Sequence, residues 1–183
     1  MQASKPCVNY SKSGREFSRK FPGPVGAVAA LPVRSCIIDG ELTACCDSGI
    51  PDFKALHFNS RADARCVSAF GLLYLNGKDL RSLPLADRKE RLERLVFKVR
   101  DNWLCYSETF SDGATLIKAA DRMGLEGIVS KKANAPYRSG AKGNWIKVKC
   151  PTGGNAIAND GASSSPHERL DYRDQYAFTQ HRS

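Results

Sequence analysis

An α+β fold with mostly antiparallel sheets and flanking helices is predicted for this chain. Three observations point there. Short apolar strand patterns alternate with two long helical periods, turn signals of the hairpin type separate several strands, and 183 residues suffice for one domain with a real core. Hydrophobic residues make up 42% and charged residues 26%, the balance of an ordinary globular chain.

In chain order, Val25–Leu31 is an apolar stretch between prolines that reads as a brief helix. Ser35–Asp39 and Glu41–Cys46 read as two strands, with Asp47-Ser48-Gly49 as the following turn. Asp52 fits the N-cap of a short helix through Phe53, Leu56 and Phe58. Val67–Leu75 is apolar and aromatic enough for a buried strand, and Asn76-Gly77 is a strong turn signal. Leu85–Val99 is the clearest helix: Leu85, Leu92, Leu95, Val96 and Val99 line one face, while Arg88, Lys89, Glu90, Arg91, Glu93 and Arg94 supply the polar side. Trp103–Tyr106 reads as a strand. A second helix spans Ser111–Met123, with Leu116, Ala119, Ala120 and Met123 inward and Gly124 ending it. Two final strands follow at Gly127–Lys131 and Asn144–Lys149. After Cys150 the chain turns rich in Gly, Ser, Asn and Pro, which predicts a disordered tail over 151–183.

The net charge of +9 is unevenly placed. Residues 151–183 hold three basic and four acidic side chains, so residues 1–150 carry 25 basic against 15 acidic. From Glu126 to Lys149 the cations Lys131, Lys132, Arg138, Lys142, Lys147 and Lys149 face a single acid. A phosphate-rich partner is the natural inference, against the plainer reading of a solvated basic face. No apolar run approaches a membrane span and the first residues lack a secretion-signal core, which points to the cytoplasm and, for a nucleic-acid binder, to the nucleoid. The seven cysteines include no C-x-x-C pair and none lies near a histidine at ligand spacing, so they read as reduced, mostly buried thiols.

Four segments carry chemistry. Asp39-Gly40-Glu41 follows the apolar run SCII; alone it also reads as a hairpin turn. Phe70 stands within CVSAFGLLYLNGKDL, where a buried strand explains most of the residues. Gly124-Leu125-Glu126-Gly127-Ile128-Val129-Ser130-Lys131-Lys132 sets a glutamate between glycines at the mouth of a strand, which is odd for a purely structural element. In Trp145-Ile146-Lys147-Val148-Lys149 alternation puts both lysines on one face.

In this order the four segments resemble the signature motifs of the covalent nucleotidyltransferases, the superfamily of DNA ligases, RNA ligases and messenger-RNA capping enzymes. The linking sequences AVAALPVRSCIIDGEL, LPLADRKERLERL and MGLEGIVSKKANAPYRSGAKGNWIKVK are most similar to the ligase domain of bacterial end-joining ATP-dependent DNA ligases, from about Ser11 to Lys149. The resemblance implies an incomplete, ATP-grasp-like nucleotidyltransferase domain over 11–150, after a divergent segment 1–10. It implies ATP and Mg²⁺ as cofactors, with Glu41 by the ribose and metal, Phe70 stacked on adenine, Glu126 on the metal, Lys147 and Lys149 on the α-phosphate, and Lys12 near the ribose. Nicked duplex DNA is the implied partner, held by a basic surface including Lys131, Lys132, Arg138 and Lys142, with no membrane.

The sequence departs from the family at two points. The family usually has Asp after the stacking Phe, where this chain has Gly71. The K-x-D-G-x-R motif of the nucleophilic lysine is absent: the D-G pairs are Asp39-Gly40, Asp112-Gly113 and Asp160-Gly161, and none has a lysine two residues before the Asp. Ser11-Lys12-Ser13-Gly14 matches an element that follows the lysine motif, so the lysine strand is expected before Met1, and the OB domain after Lys149. The chain is therefore expected not to self-adenylate alone. The alternatives are a non-catalytic nucleic-acid-binding remnant, a truncated gene product, or one half of a split enzyme; RNA ligase and capping enzyme are the sibling activities.

Overall fold

The structure is a computed structural model that describes residues 7–11, 13–44, 65–99, 101–123, 125–139 and 145–152, together with the backbone of 175–180. Lys12, Lys142 and the helix expected after Asp52 lie outside the described residues.

The elements run β1 (Cys7–Ser11), α1 (Pro22–Ala29), β2 (Cys36–Ala44), β3 (Arg65–Leu75), β4 (Lys78–Asp79), α2 (Leu85–Val96), β5 (Leu104–Tyr106), α3 (Gly113–Arg122), β6 (Gly127–Lys131), β7 (Trp145–Lys149) and β8 (Gln175–Gln180). Six strands form one sheet in the order β1-β8-β2-β3-β4, with β5 also on β3; β6 and β7 form a separate antiparallel pair. Every pairing is antiparallel except β3 with β5. The α+β expectation therefore holds, with helices beside mostly antiparallel sheets.

The main core is built from α1 (Ala27, Val28), the turn after it (Leu31, Val33), β2 (Cys36, Ile38, Leu42), β3 (Val67, Ala69, Leu72), α2 (Leu92, Leu95, Val96) and Leu104 of β5. Pro22 opens α1, where its fixed φ is preorganised and its missing N–H costs nothing. Asn76 and Gly77 both have positive φ, 49° and 92°, as a tight type I′ turn between β3 and β4 requires. The Asn76 Oδ1 also accepts from Arg34 N at 2.8 Å and so ties the turn to the entry of β2.

α2 starts without a side-chain cap. Its first free donors are satisfied from elsewhere: Leu85 N donates to Ala135 O at 3.0 Å and Ala86 N to Ala133 O at 2.9 Å. Tyr137 N donates to Arg81 O at 2.8 Å. These three bonds dock the segment after β6 onto the start of α2, and thereby set the small β6–β7 sheet against the large one. α3 is capped by Asp112, which accepts from Ala114 N at 3.0 Å and Thr115 N at 3.1 Å.

Several expectations need correction. Asp39-Gly40 is not a turn: β2 runs unbroken from Cys36 to Ala44, with register shifts at Ile37/Ile38 and Asp39/Gly40. A Cβ at Gly40 would stand 2.8 Å from Val67 Cγ1 and 3.0 Å from Ser68 O, so glycine here permits a close strand crossing. Arg88 is not on the polar side of its helix but 3% exposed. Its position, three after Leu85 and four before Leu92, puts it on the apolar stripe. Met123, expected inward, is 49% exposed, because α3 ends at Arg122. Cys66 is disulfide-bonded, whereas Cys7, Cys36, Cys105 and Cys150 are the free thiols expected. Cys66 pairs with Thr43 across the β2–β3 ladder, and its Sγ lies 3.3 Å from Thr43 Oγ1.

Within the tail expected to be disordered, Gln175–Gln180 is a strand between β1 and β2, while 153–174 and 181–183 lie outside the described residues. Tyr, Phe and Thr in that hexapeptide favour extended backbone, and a slot with a strand on either side pairs both of its edges. β1 begins at Cys7, inside the segment set apart as divergent. Among the described residues no helix is long and apolar enough to cross a membrane.

Candidate active site

The site lies where β2, β3 and α2 meet the β6–β7 pair. β2 contributes Asp39 and Glu41. On β3, alternation sends Val67 and Ala69 into the core and leaves Phe70 half-buried outside it. On the small sheet Lys131 pairs with Trp145 and Val129 with Lys147, so Lys131, Trp145, Lys147 and Lys149 share one face.

Lys131 is the centre of this arrangement. Its Nζ is 3.6 Å from the centroid of the Phe70 ring and 3.9 Å from that of Trp145, and the two rings meet edge to face at 6.4 Å. Burial pushes its ammonium down to about 8, opposed first by the charge of Asp39, with Glu41 adding to it. Two aromatic faces favour the charged form as well. Sequence grouped Lys131 with DNA-facing cations; its place on the inner face of β6 makes it half-buried instead.

Burial acts in the same direction on both carboxylates of β2. Asp39 is 5% exposed, and burial raises it to about 6 although Lys131 and Arg88 pull the other way. Burial also raises Glu41, against the charges of Lys131 and Lys147. Glu126, at the mouth of β6, takes an ion pair from Lys147 Nζ at 2.8 Å. Lys147 thus connects Glu126 to the neighbourhood of Glu41. Gly127 is required by close packing: a Cβ there would lie 2.2 Å from Val148 O and 3.0 Å from Lys149 Cα.

Arg88 completes the buried side. It donates from Nε to Leu83 O at 3.3 Å, its Cζ lies 5.8 Å over Tyr137, and its charge acts on Asp39. Gly71 faces Asp39 across the β2–β3 ladder, and a Cβ on it would come 3.1 Å from Asp39 Cβ. Lys89 donates to Ser107 O at 2.6 Å and lies 4.9 Å from the Tyr106 centroid.

Of the residues singled out from sequence, Glu41, Phe70, Glu126 and Lys147 converge here. Lys149 shares their face and, like Lys147, is exposed; Lys132 and Arg138 are exposed as well. Arg88 and Trp145 were missed. The heptad-like spacing of Arg88 with Leu85 and Leu92, and the alternation of Trp145 with the two lysines, were the available signals.

The donor chemistry suits phosphate and a hard cation. Among the described residues no group of three or more His, Cys, Asp or Glu could hold a metal alone. Two carboxylates flanking a lysine nevertheless fit Mg²⁺, which commonly takes one or two carboxylates and shares its remaining positions with substrate phosphates.

The sequence matches, over residues 3–149, the model of the family described as "ATP dependent DNA ligase domain". The chain belongs to this family. The match ends on the last residue of β7 and includes β1. The multifunctional non-homologous end joining protein LigD of Pseudomonas aeruginosa is 33% identical over 144 residues, 76% of this chain and 17% of that protein. Among solved structures, the ligase domain of Mycobacterium tuberculosis LigD superposes with a TM-score of 0.64 at 26% identity, covering 78% of this chain and 51% of the other. A mycobacterial DNA ligase D complexed with ATP and MES gives 0.64 at 25% identity, covering 80% of this chain and 52% of the other. The ligase-family chain thus spans about half of those domains and a smaller share of the Pseudomonas protein.

Proposed function

We propose that this chain is the ATP- and DNA-binding part of an ATP-dependent DNA ligase and that it does not adenylate itself in isolation. The observation that carries the reading is the convergence of Glu41, Phe70, Glu126 and Lys147 from β2, β3, β6 and β7 on one site. Phe70 offers a ring face to adenine, and Lys147 with Lys149 offers charge to the α-phosphate. Glu41 and Glu126 would hold Mg²⁺, and Lys12 is assigned to the ribose by its sequence motif alone. The ion pair between Glu126 and Lys147 is half-exposed, with both side chains at 43%, so exchanging it for phosphate and metal costs little. The ATP complex of the mycobacterial relative supports the nucleotide assignment.

The family's chemistry needs a lysine nucleophile on the α-phosphate, and no K-x-D-G-x-R occurs in the 183 residues. What remains is binding. Lys132 and Arg138, both exposed, supply part of a basic face for the backbone of a nicked duplex and hence for the nucleoid. The end-joining role of the Pseudomonas relative supports a repair context.

The test is incubation with α-labelled ATP and magnesium, followed by denaturation. The expected result is reversible retention by equilibrium dialysis and no label on the denatured protein. Label that survives denaturation would refute the self-adenylation part; absence of any retention would refute the nucleotide site.

A further inference from the structure

We infer that Lys131 is a built-in occupant of the base-stacking slot, an ammonium that must leave the Phe70 face for a nucleobase to enter and that makes the site favour nucleotides over nucleosides. The inference rests on the proposed ATP site and names what decides its specificity.

Geometry sets the exclusion. A base stacked on Phe70 needs its atoms about 3.5–4.0 Å from the ring, the ordinary contact distance between non-bonded carbons. Lys131 Nζ already stands 3.6 Å from that centroid, and 3.9 Å from Trp145 on its other side. Both cannot occupy the same ring face. Lys131 is seated there by the two rings and by the charges of Asp39 and Glu41, against repulsion from Lys89 and Arg88.

Energetics sets the preference. A desolvated ammonium on aromatic faces and a base on an aromatic side chain are contacts of the same order of strength. A bare nucleoside therefore gains little by replacing one with the other. A nucleotide brings its own anion. Its phosphates, on the Lys147 side of the same strand face, give the displaced ammonium a charge-assisted partner that a nucleoside lacks.

The experiment measures adenosine and ATP affinities by equilibrium dialysis for the full chain, Lys131→Ala and Lys131→Met, with thermal melts to verify folding. Lys131→Ala empties the slot, so adenosine should bind roughly 3–30-fold tighter, the range expected for removing a competing cation–π contact. ATP should tighten less or loosen, so the ATP-to-adenosine preference should fall about tenfold. Lys131→Met keeps a long apolar chain between the rings; adenosine should stay as weak as in the parent while ATP loosens. Unchanged or weaker adenosine binding in Lys131→Ala, with ATP still bound, overturns this inference and leaves the ATP reading standing. Failure of parent and variants to bind either ligand overturns the ATP reading and the inference with it.

Discussion

Replacing Asp39 by Asn isolates what it costs to keep a carboxylate inside the β2–β3 ladder. Asp39 is 5% exposed and lies at a register shift in mid-strand. Burial raises its pKa from 3.8 to about 6, net of the attraction of Lys131 and Arg88. That interval corresponds to about 3 kcal/mol. The folded state holds this proton more tightly than the unfolded chain. Stability therefore falls as pH rises from about 4 to about 6, and the full penalty is present above that window. Well below pH 4 both states are protonated and the penalty vanishes. Asn is a near-isosteric neutral stand-in for the protonated acid. Its stability relative to the parent should be higher by about 2 kcal/mol at pH 7.5 than at pH 4, where part of the penalty is already present. Urea unfolding of both proteins at the two pH values measures the double difference, in which any pH-independent cost of the amide cancels. A difference that does not change with pH, or one that makes Asn less favourable at pH 7.5, would refute the reasoning. The second outcome would mean that Asp39 is a stabilised anion paired with Lys131 and Arg88.

Three other expectations follow from single contacts. Gly127→Ala places a methyl 2.2 Å from Val148 O, backbone that cannot swing aside, so it should cost roughly 1–3 kcal/mol in thermal or urea unfolding and weaken ATP retention by shifting Glu126. Asn9 is fully buried with neither Oδ1 nor Nδ2 hydrogen-bonded among the described residues, so Asn9→Leu, similar in volume, should stabilise by about 1–2 kcal/mol; a loss of stability would show that the amide is satisfied. Duplex binding should weaken linearly in log K against log salt without sequence preference, and Lys132→Ala should lower the slope by about 1.

Much of this architecture was legible from sequence because local signals agreed with their surroundings. The Asn76-Gly77 turn needs two positive φ values, and few dipeptides tolerate them. The Leu92, Leu95 and Val96 stripe of α2 buries where its period points. Arg88 was misjudged because a guanidinium normally marks a solvent face; here the Leu83 carbonyl, the Tyr137 ring and the charge of Asp39 together compensate its burial. Asp39-Gly40 misled in the opposite way. The same dipeptide that makes a hairpin turn also suits a strand crossing in which a partner chain leaves no room for a Cβ, and only the identity of that partner, Val67 and Ser68, decides between them. The site's aromatic seat for Lys131 was illegible for a related reason. Each participant has a local explanation, and the contact appears only when β3 meets the β6–β7 pair.

The position of β8 bears on how the chain reaches its fold. Among the described residues β1 joins β2 in the sheet only through β8, with Ser11 opposite Tyr176 and Glu41 opposite Gln175. The pairing of β2 with β3 can form early, since their residues are close in the chain. β1 must wait for a partner synthesised long after it. Because closing a loop costs entropy that grows with its length, this last pairing comes late and folds slowly. Until then the facing edges of β1 and β2 present unpaired backbone groups, the condition in which chains associate with one another. Refolding yield should therefore depend on concentration, and the nascent chain is most vulnerable between synthesis of β2 and emergence of Gln175–Gln180.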